Sequence, residues 1–125
     1  MNAATGKLAG RIAVITGASR GIGAATAKIF AAEGAHVILV ARTQGGLEEI
    51  DDEIRSAGGT ASLVPMDLTD YGKIDEMGAT IFERYGKLDI LIASAGLLGT
   101  MGPINHIDPK IWEQTLAVNV TANWR

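Results

Sequence analysis

The chain has 125 residues, of which 11 are Lys or Arg and 14 are Asp or Glu, so its formal net charge is −3. This charge argues against a nucleic-acid or anionic-membrane surface, and 47% hydrophobic with 20% charged residues is typical of a folded globular domain. The sequence contains no cysteine, which excludes disulfides, thiolate metal ligands and a cysteine nucleophile and favours a cytoplasmic protein.

Hydrophobic patterning predicts that strands and helices alternate along the chain. Short β-branched apolar runs predict buried strands, and the Ala-rich or amphipathic segments between them predict helices. In chain order we expect strand 11–16, helix 22–33, strand 35–41, helix 44–57, strand 60–66, a helix ending near 85, strand 88–94 and a last helix from 109 to the end. Such alternation implies right-handed crossovers, and therefore an α/β fold with a parallel sheet and helices on both faces.

Capping residues and apolar spacing predict how the helices begin and which side they bury. Thr69 is the expected N-cap of the third helix, and Asp108 with Pro109 gives the last helix an N-cap and a first-turn proline. The apolar spacing also predicts the inner faces of the first and third helices. The expected inner residues are Ile22, Ala25, Ile29 and Phe30 in the first helix, and Ile74, Met77, Ile81 and Phe82 in the third.

Three glycines lie between the first strand and the first helix, in the segment Thr16-Gly17-Ala18-Ser19-Arg20-Gly21-Ile22-Gly23. Gly17 permits a sharp turn off the strand, Gly21 leaves room for a pyrophosphate near the backbone, and Gly23 lets the helix pack close to the sheet. The free amides and positive dipole end of the helix favour bound phosphates. Because the turn opens a helix directly after a buried strand, a dinucleotide site is favoured over a turn without a ligand.

The residues after the second strand predict which dinucleotide binds. An enzyme that uses NAD(H) usually has a carboxylate there for the ribose hydroxyls, whereas this chain reads Val40-Ala41-Arg42-Thr43. Arg20 and Arg42 would flank the adenosine ribose, and two guanidiniums suit a 2′-phosphate. NADP(H) is therefore the predicted cofactor in preference to NAD(H). The alternative is that both arginines are solvated surface residues.

The spacing Gly-x-x-x-Gly-x-Gly, with Thr16 before it and Ile22 within it, resembles the classical short-chain dehydrogenase/reductase family. The resemblance begins near residue 7 and includes Asp67, Ser94-Ala95-Gly96 and Asn119. It implies a Rossmann-like doubly wound sheet with strand order 3-2-1-4, Asp67 beside the adenine, Ala95 and Gly96 beside the nicotinamide ribose, and Asn119 as a catalytic residue. Ser94 stands where the family usually has Asn. The cofactor-binding residues that we expect are Gly17, Ser19, Arg20, Gly21, Ile22, Gly23, Arg42, Thr43, Asp67, Leu68, Ser94, Ala95 and Gly96.

The resemblance also implies a reaction for which some residues are missing. The family transfers hydride between a nicotinamide and a carbonyl or secondary alcohol, using a Tyr acid/base, a Lys four positions later and a Ser. Here Tyr71 is followed at that distance by Asp75, and Tyr85 by Asp89. We therefore expect residues 1–125 to be the NADP(H)-binding domain of a reductase of about twice this length, truncated before the catalytic half and without turnover alone.

Two other functions stay open from the sequence. One is a nucleotide-binding regulatory or assembly module without catalysis; the other, a methyl-donor-binding transferase, fits less well because such sites also tend to need an acid after the second strand. His36 and His106 are far apart with few nearby carboxylates, so we expect surface positions and no metal site. The resemblance implies a homo-oligomer, dimer or tetramer. The apolar fourth strand predicts that a 125-residue product pairs along this edge or is unstable.

Overall fold

Four parallel strands form the sheet of the computed structural model, which describes residues 6–125. The strands are β1 (Ile12–Thr16), β2 (His36–Ala41), β3 (Thr60–Pro65) and β4 (Ile90–Ala93). Their order in the sheet is β3-β2-β1-β4, and each neighbouring pair is parallel. The predicted α/β class, doubly wound architecture and strand order 3-2-1-4 are therefore confirmed.

The helices connect these strands in the predicted alternation. They are α1 (Gly21–Ala32), α2 (Gln44–Ser56), α3 (Tyr71–Tyr85), α4 (Pro109–Leu116) and α5 (Ala122–Trp124). A short 3₁₀ turn covers Ile104–His106, and a π-helical segment, Ala117–Thr121, joins α4 to α5. Asp108 caps α4 by accepting a hydrogen bond from the Lys110 amide at 2.9 Å, as the sequence predicts.

Two apolar clusters cover the two faces of the sheet. On one face, Ile15 and Leu39 pack among side chains of α1 and α2, including Leu47. On the other face, Val14 and Ile38 pack with Ile81 of α3 and neighbouring side chains. Alternate residues of β1 and β2 thus point to opposite cores, which is why both strands read as continuous apolar runs.

The predicted inner face of α1 is wrong. Ile22 is 79% exposed and Ile29 is 62% exposed, whereas the buried residues of this helix are Gly23, Ala24, Ala27 and Ala31. Small side chains face the sheet because they allow a close approach of the helix backbone, whereas Ile22 and Ile29 point away from it. Of the other two predicted inner residues, Ala25 is exposed and Phe30 packs, partly buried, against this core. Size, and not hydrophobicity alone, therefore sets the orientation of α1.

Two predictions for α3 also need correction. Its N-cap is Asp70, whose side chain accepts from the Lys73 amide, because the hydroxyl of Thr69 instead donates to Asp67 Oδ1 at 2.7 Å. Phe82 is 70% exposed, while Ile81 is buried. Consecutive helical residues point about 100° apart. With Ile81 facing the sheet, Phe82 therefore points toward solvent.

Candidate functional site

A pocket of about 680 Å³ lies where the carboxyl ends of the strands meet α1. Ligands of doubly wound sheets bind in the crevice at this end, at the point where the strand order reverses and the connections after two neighbouring strands leave in opposite directions. All the predicted cofactor-binding residues line the pocket except Gly23, which packs behind it against the Gly17 carbonyl. The fold therefore brings together residues that are up to 79 positions apart in the chain.

The glycine turn at the head of α1 has the conformation that its sequence suggests. Gly17 has φ +63°, and a Cβ placed there would lie 2.9 Å from the backbone of Ala95. Gly21 has φ +60°, but a Cβ there would meet no described atom within 4 Å. Gly17 is thus needed for close packing, while Gly21 presents bare backbone to the pocket.

The first turn of α1 has free donors. Among residues 6–125 no side chain caps this helix, whose N-cap residue is Arg20, and its first turn contains no acid. The orphan amides and the helix dipole therefore face the pocket with a positive potential. This is the arrangement that holds phosphate groups in nucleotide-binding folds.

Thr16 ties the end of β1 to the segment that follows β4, beneath this turn. It is a buried polar residue at the end of β1, and its Oγ1 accepts hydrogen bonds from the amides of Ser94 and Ala95, both at 3.1 Å. The segment after β4 is thereby fixed against the glycine turn. The available signal in the sequence was a hydroxyl at the end of an otherwise apolar strand.

The pocket lining contains two basic side chains. Arg20 and Arg42 line it together with Ser19 and Thr43, and a Cβ on Gly46 of α2 would lie 3.0 Å from the Ser19 Cβ. Of the described residues that line the pocket, Asp67 alone is acidic. The charge distribution therefore favours an anionic group near the two guanidiniums.

Asp67 follows β3 and is held by the start of the next helix. Its Oδ1 accepts from the Thr69 amide at 2.9 Å and from the Thr69 hydroxyl at 2.7 Å. These bonds, with a smaller contribution from Arg42, hold the pKa of the Asp67 carboxyl below its ordinary value. Asp67 is consequently ionised at neutral pH, and its second oxygen is left to accept a hydrogen bond from a ligand.

Asn119 lies in the π-helical segment behind Gly96. Its Oδ1 accepts from the Leu97 amide and its Nδ2 donates to the Leu97 carbonyl, both at 2.8 Å. Both ends of the amide are thus used to fix the loop after β4. A π-helical segment in the middle of a helix is often found at functional sites, but the regular apolar spacing of this region did not predict one.

Several pocket residues were not predicted from the sequence. Gln114 and Val118 reach the pocket from the last helical region, and Met66 reaches it from the end of β3. Nothing in their local sequence distinguishes them, because their position depends on how distant elements pack. Neither Tyr71 nor Tyr85 lines the pocket.

The sheet, its strand order and the glycine turn at the head of α1 define a protein of the Rossmann class. A family model described as short chain dehydrogenase matches residues 11–124. The chain therefore belongs to the short-chain dehydrogenase/reductase family, as its motifs suggested.

Similar proteins come from several sources. The fatty acyl-CoA reductase of Acinetobacter baylyi is 52% identical over 87 residues, which are 70% of this chain and 30% of that protein. A metagenomic short-chain oxidoreductase in complex with NADP has a TM-score of 0.91 at 38% identity, covering 94% of this chain and 53% of the other. Carveol dehydrogenase from Mycobacterium avium in complex with NAD has a TM-score of 0.86 at 29% identity, covering 96% and 48%. The chain thus spans about half the length of these two structures.

In residues 6–125, no helix combines the length and the apolar character that crossing a bilayer requires.

Proposed function

We propose that this chain is the NADP(H)-binding part of an oxidoreductase that transfers hydride between the nicotinamide and a carbonyl or secondary alcohol. The observation that carries the proposal is the uncapped first turn of α1, whose Gly21 backbone opens on a pocket lined by two arginines. The family membership and the NADP in one similar structure support it. The NAD in another similar structure is the reason why the choice of cofactor needs a test.

The pocket residues fit each part of the dinucleotide. The unpaired amides of the first turn of α1 would donate to the pyrophosphate. Gly21 leaves room for it, because a side chain at this position would occupy the space that the phosphates need. Arg20 and Arg42 would hold the 2′-phosphate, with Ser19 and Thr43 beside them.

Two further regions would receive the bases and the second ribose. The free oxygen of Asp67 would accept from the adenine amino group, with Leu68 beside it. Ala95 and Gly96 would leave room for the nicotinamide ribose, with Ser94 held by Thr16 below them. The nicotinamide, when bound, supplies or accepts the hydride.

Asn119 acts through the backbone in this proposal. Its two hydrogen bonds to Leu97 fix the segment that follows β4, which includes Gly96. Asn119 would therefore orient the nicotinamide end of the site. The Ser, Tyr and Lys that handle the substrate oxygen would be supplied by residues outside these 125, which agrees with coverage of about half of the similar structures. Cytoplasmic location and assembly into a homo-oligomer stay predictions from the sequence.

Binding and chemistry need separate tests. For binding, the purified chain is titrated by calorimetry with NADPH, NADH and S-adenosylmethionine, and we expect NADPH to bind most tightly. Tightest binding of S-adenosylmethionine would instead favour a transferase.

For the reaction, the complete reading frame is expressed and supplied with NADPH deuterated at the nicotinamide C4 and a panel of ketones and aldehydes. Deuterium on the carbinol carbon of a product supports the oxidoreductase. Tight NADPH binding without deuterium transfer to any carbonyl compound would favour the regulatory module.

A further inference from the structure

A second cavity lies on the opposite side of β3 from α2, between the sheet and α3. Its volume is about 240 Å³, and its walls come from β2, β3 and the length of α3. Of the described residues, Met66 alone lines both this cavity and the cofactor pocket. The cavity has room for about eight water molecules at their liquid volume, and therefore for a ligand of roughly eight to ten non-hydrogen atoms. We call it the α3 groove.

The middle of the α3 groove is apolar. Ile38 and Val64 approach from the sheet, and Met77 and Ile81 approach from the helix. Ile38 and Ile81 are buried members of the core on this face, so the floor is built on rigid elements. Such a surface favours an aliphatic chain or a ring in preference to a polar body.

One end of the groove carries a cluster of hydroxyl groups. Ser62 Oγ and Tyr85 Oη lie 3.1 Å apart, and both are within 3.0 Å of His36 Nε2. On its other side, His36 Nδ1 contacts Thr60 Oγ1 at 2.8 Å. The predicted surface position of His36 is therefore wrong, because the ring is half-buried between two strands and the end of α3.

One hydroxyl proton of this cluster can donate a hydrogen bond to a ligand. When the Thr60 hydroxyl donates to Nδ1, the imidazole proton lies on Nε2 and donates to one of the two hydroxyls. That hydroxyl donates to the other, whose own proton is then free to point into the groove. Burial and the nearby guanidiniums lower the pKa of His36, so the ring is neutral and has this tautomer available.

A positive charge lies at the same end. Arg84 lines the groove from the last turn of α3 and immediately precedes Tyr85, whose hydroxyl belongs to the cluster. Lys73 and Glu76 line the groove nearer the start of α3. In the part of the chain that the structure describes, none of these three side chains is in an ion pair.

We propose that the α3 groove binds a small amphipathic carboxylate, with its carboxylate at Arg84 and the hydroxyls of Ser62 and Tyr85, and its apolar body over Ile81. Charge complementarity selects the anion, and the apolar floor selects an aliphatic or aromatic acid of about the size of hexanoate or benzoate. The site is separate from the cofactor pocket and does not depend on the function proposed above.

Hexanoate is the probe for this site, and methyl NMR of the purified chain is the readout. We expect saturable shifts at the methyl groups of Ile38, Met77 and Ile81, with little change at Ile15 and Ile50 on the other face. Hexylammonium, which has the same chain and the opposite charge, should bind at least about tenfold more weakly. Equal affinity for the two probes, or shifts spread over both faces, would overturn the proposal.

Two charge substitutions in the same groove provide a matched comparison. Arg84→Gln should weaken hexanoate about fivefold, since an exposed charge pair contributes roughly a two- to fivefold factor, and should leave 1-hexanol affinity unchanged. Lys73→Gln, at the far end, should change hexanoate affinity less than about twofold. Equal effects of the two substitutions would show that the carboxylate does not lie at Arg84, and would contradict the site. NADPH affinity should be the same in both variants.

Discussion

Arg42→Asp changes the charge at the place where the two nicotinamide cofactors differ. Arg42 lines the pocket directly after β2, where the 2′-phosphate of NADP(H) would lie. The substitution removes a guanidinium and adds a carboxylate, so the side-chain charge changes by two units. We expect the preference for NADPH over NADH to reverse.

The size of the effect follows from the charges and their exposure. Two unit charges about 5 Å apart interact by roughly 0.8 kcal/mol at the dielectric constant of water and by about 3 kcal/mol at an effective value of 20. Arg42 is exposed, which favours the smaller figure. A phosphate with nearly two negative charges then loses about 2–3 kcal/mol, so that NADPH affinity falls roughly 30- to 150-fold.

NADH should gain from the same substitution. A carboxylate at this position accepts hydrogen bonds from the free ribose hydroxyls. A hydrogen bond to a charged group contributes about 1.5 kcal/mol, which is roughly a tenfold gain. The ratio of the two dissociation constants therefore changes by more than about two orders of magnitude.

Titration calorimetry of both cofactors against the wild type and the variant measures this ratio. Lys110→Asp is the matched control, because it makes the same change of charge in the first turn of α4, outside the pocket lining. The control should change the ratio less than about threefold. If Arg42→Asp leaves the ratio as in the wild type, or if Lys110→Asp changes it equally, the assignment of Arg42 to the 2′-phosphate is refuted.

Three other substitutions test the turn, the loop after β4 and the histidine. Gly21→Ala should cost about 1 kcal/mol of unfolding free energy, because of its φ of +60°, and should weaken NADPH at least about tenfold in calorimetry. Asn119→Ala should cost about 1–3 kcal/mol in urea unfolding, because two hydrogen bonds to Leu97 are lost. The pKa of His36 is lowered from 6.5 in the native state, chiefly by burial. Its contribution to the free energy of unfolding is therefore complete above pH 6.5 and is lost as the pH falls toward the native pKa. His36→Asn should flatten this dependence of stability on pH, measured by urea unfolding between about pH 5.5 and 7.5.

Each of these substitutions has an opposing result, and the first two have a control. The control for Gly21→Ala is Gly78→Ala in the middle of α3, where a Cβ meets no described atom within 4 Å, and it should raise the free energy of unfolding by about 1 kcal/mol. Unchanged NADPH affinity in Gly21→Ala would show that the phosphates lie elsewhere. The control for Asn119→Ala is Asn123→Ala, which removes one exposed hydrogen bond to the Asn119 carbonyl. If Asn123→Ala lowers the free energy of unfolding as much as Asn119→Ala does, the hydrogen bonds of Asn119 to Leu97 do not stabilise the loop after β4 as argued. Persistence of the slope with pH in His36→Asn would contradict the assignment of this slope to His36.

The sequence predicted the sheet well because β1 and β2 are buried on both faces. Every residue from Ile12 to Thr16 is buried, so the apolar run has no alternation that could suggest another structure. Strand order followed from the family resemblance. The helix orientations were harder to predict. In α1, Ala24, Ala27 and Ala31 face the sheet while Ile29 faces away, and the spacing of apolar residues takes no account of side-chain size.

Residues that line the pocket were predicted where the signal is local and missed where it depends on distant packing. Gly17, Gly21 and Arg42 could be assigned because each lies at the end of a strand or the start of a helix with a defined backbone requirement. Gln114 reaches the pocket because the last helical region packs against the segment after β4, where Asn119 bonds to Leu97. The hydrogen bond from Thr69 to Asp67 likewise moved the N-cap to Asp70, since two adjacent residues were both suitable caps.

The most direct test of the whole account is an amide NMR titration of the folded chain with NADPH. We expect saturable amide shifts concentrated at residues 19–23 in the turn and first helical turn, at Arg42 and at Asp67, with few changes at the amino-terminal ends of the strands. A well-dispersed spectrum in which these amides stay unchanged up to millimolar NADPH would contradict the assignment of the pocket to this cofactor.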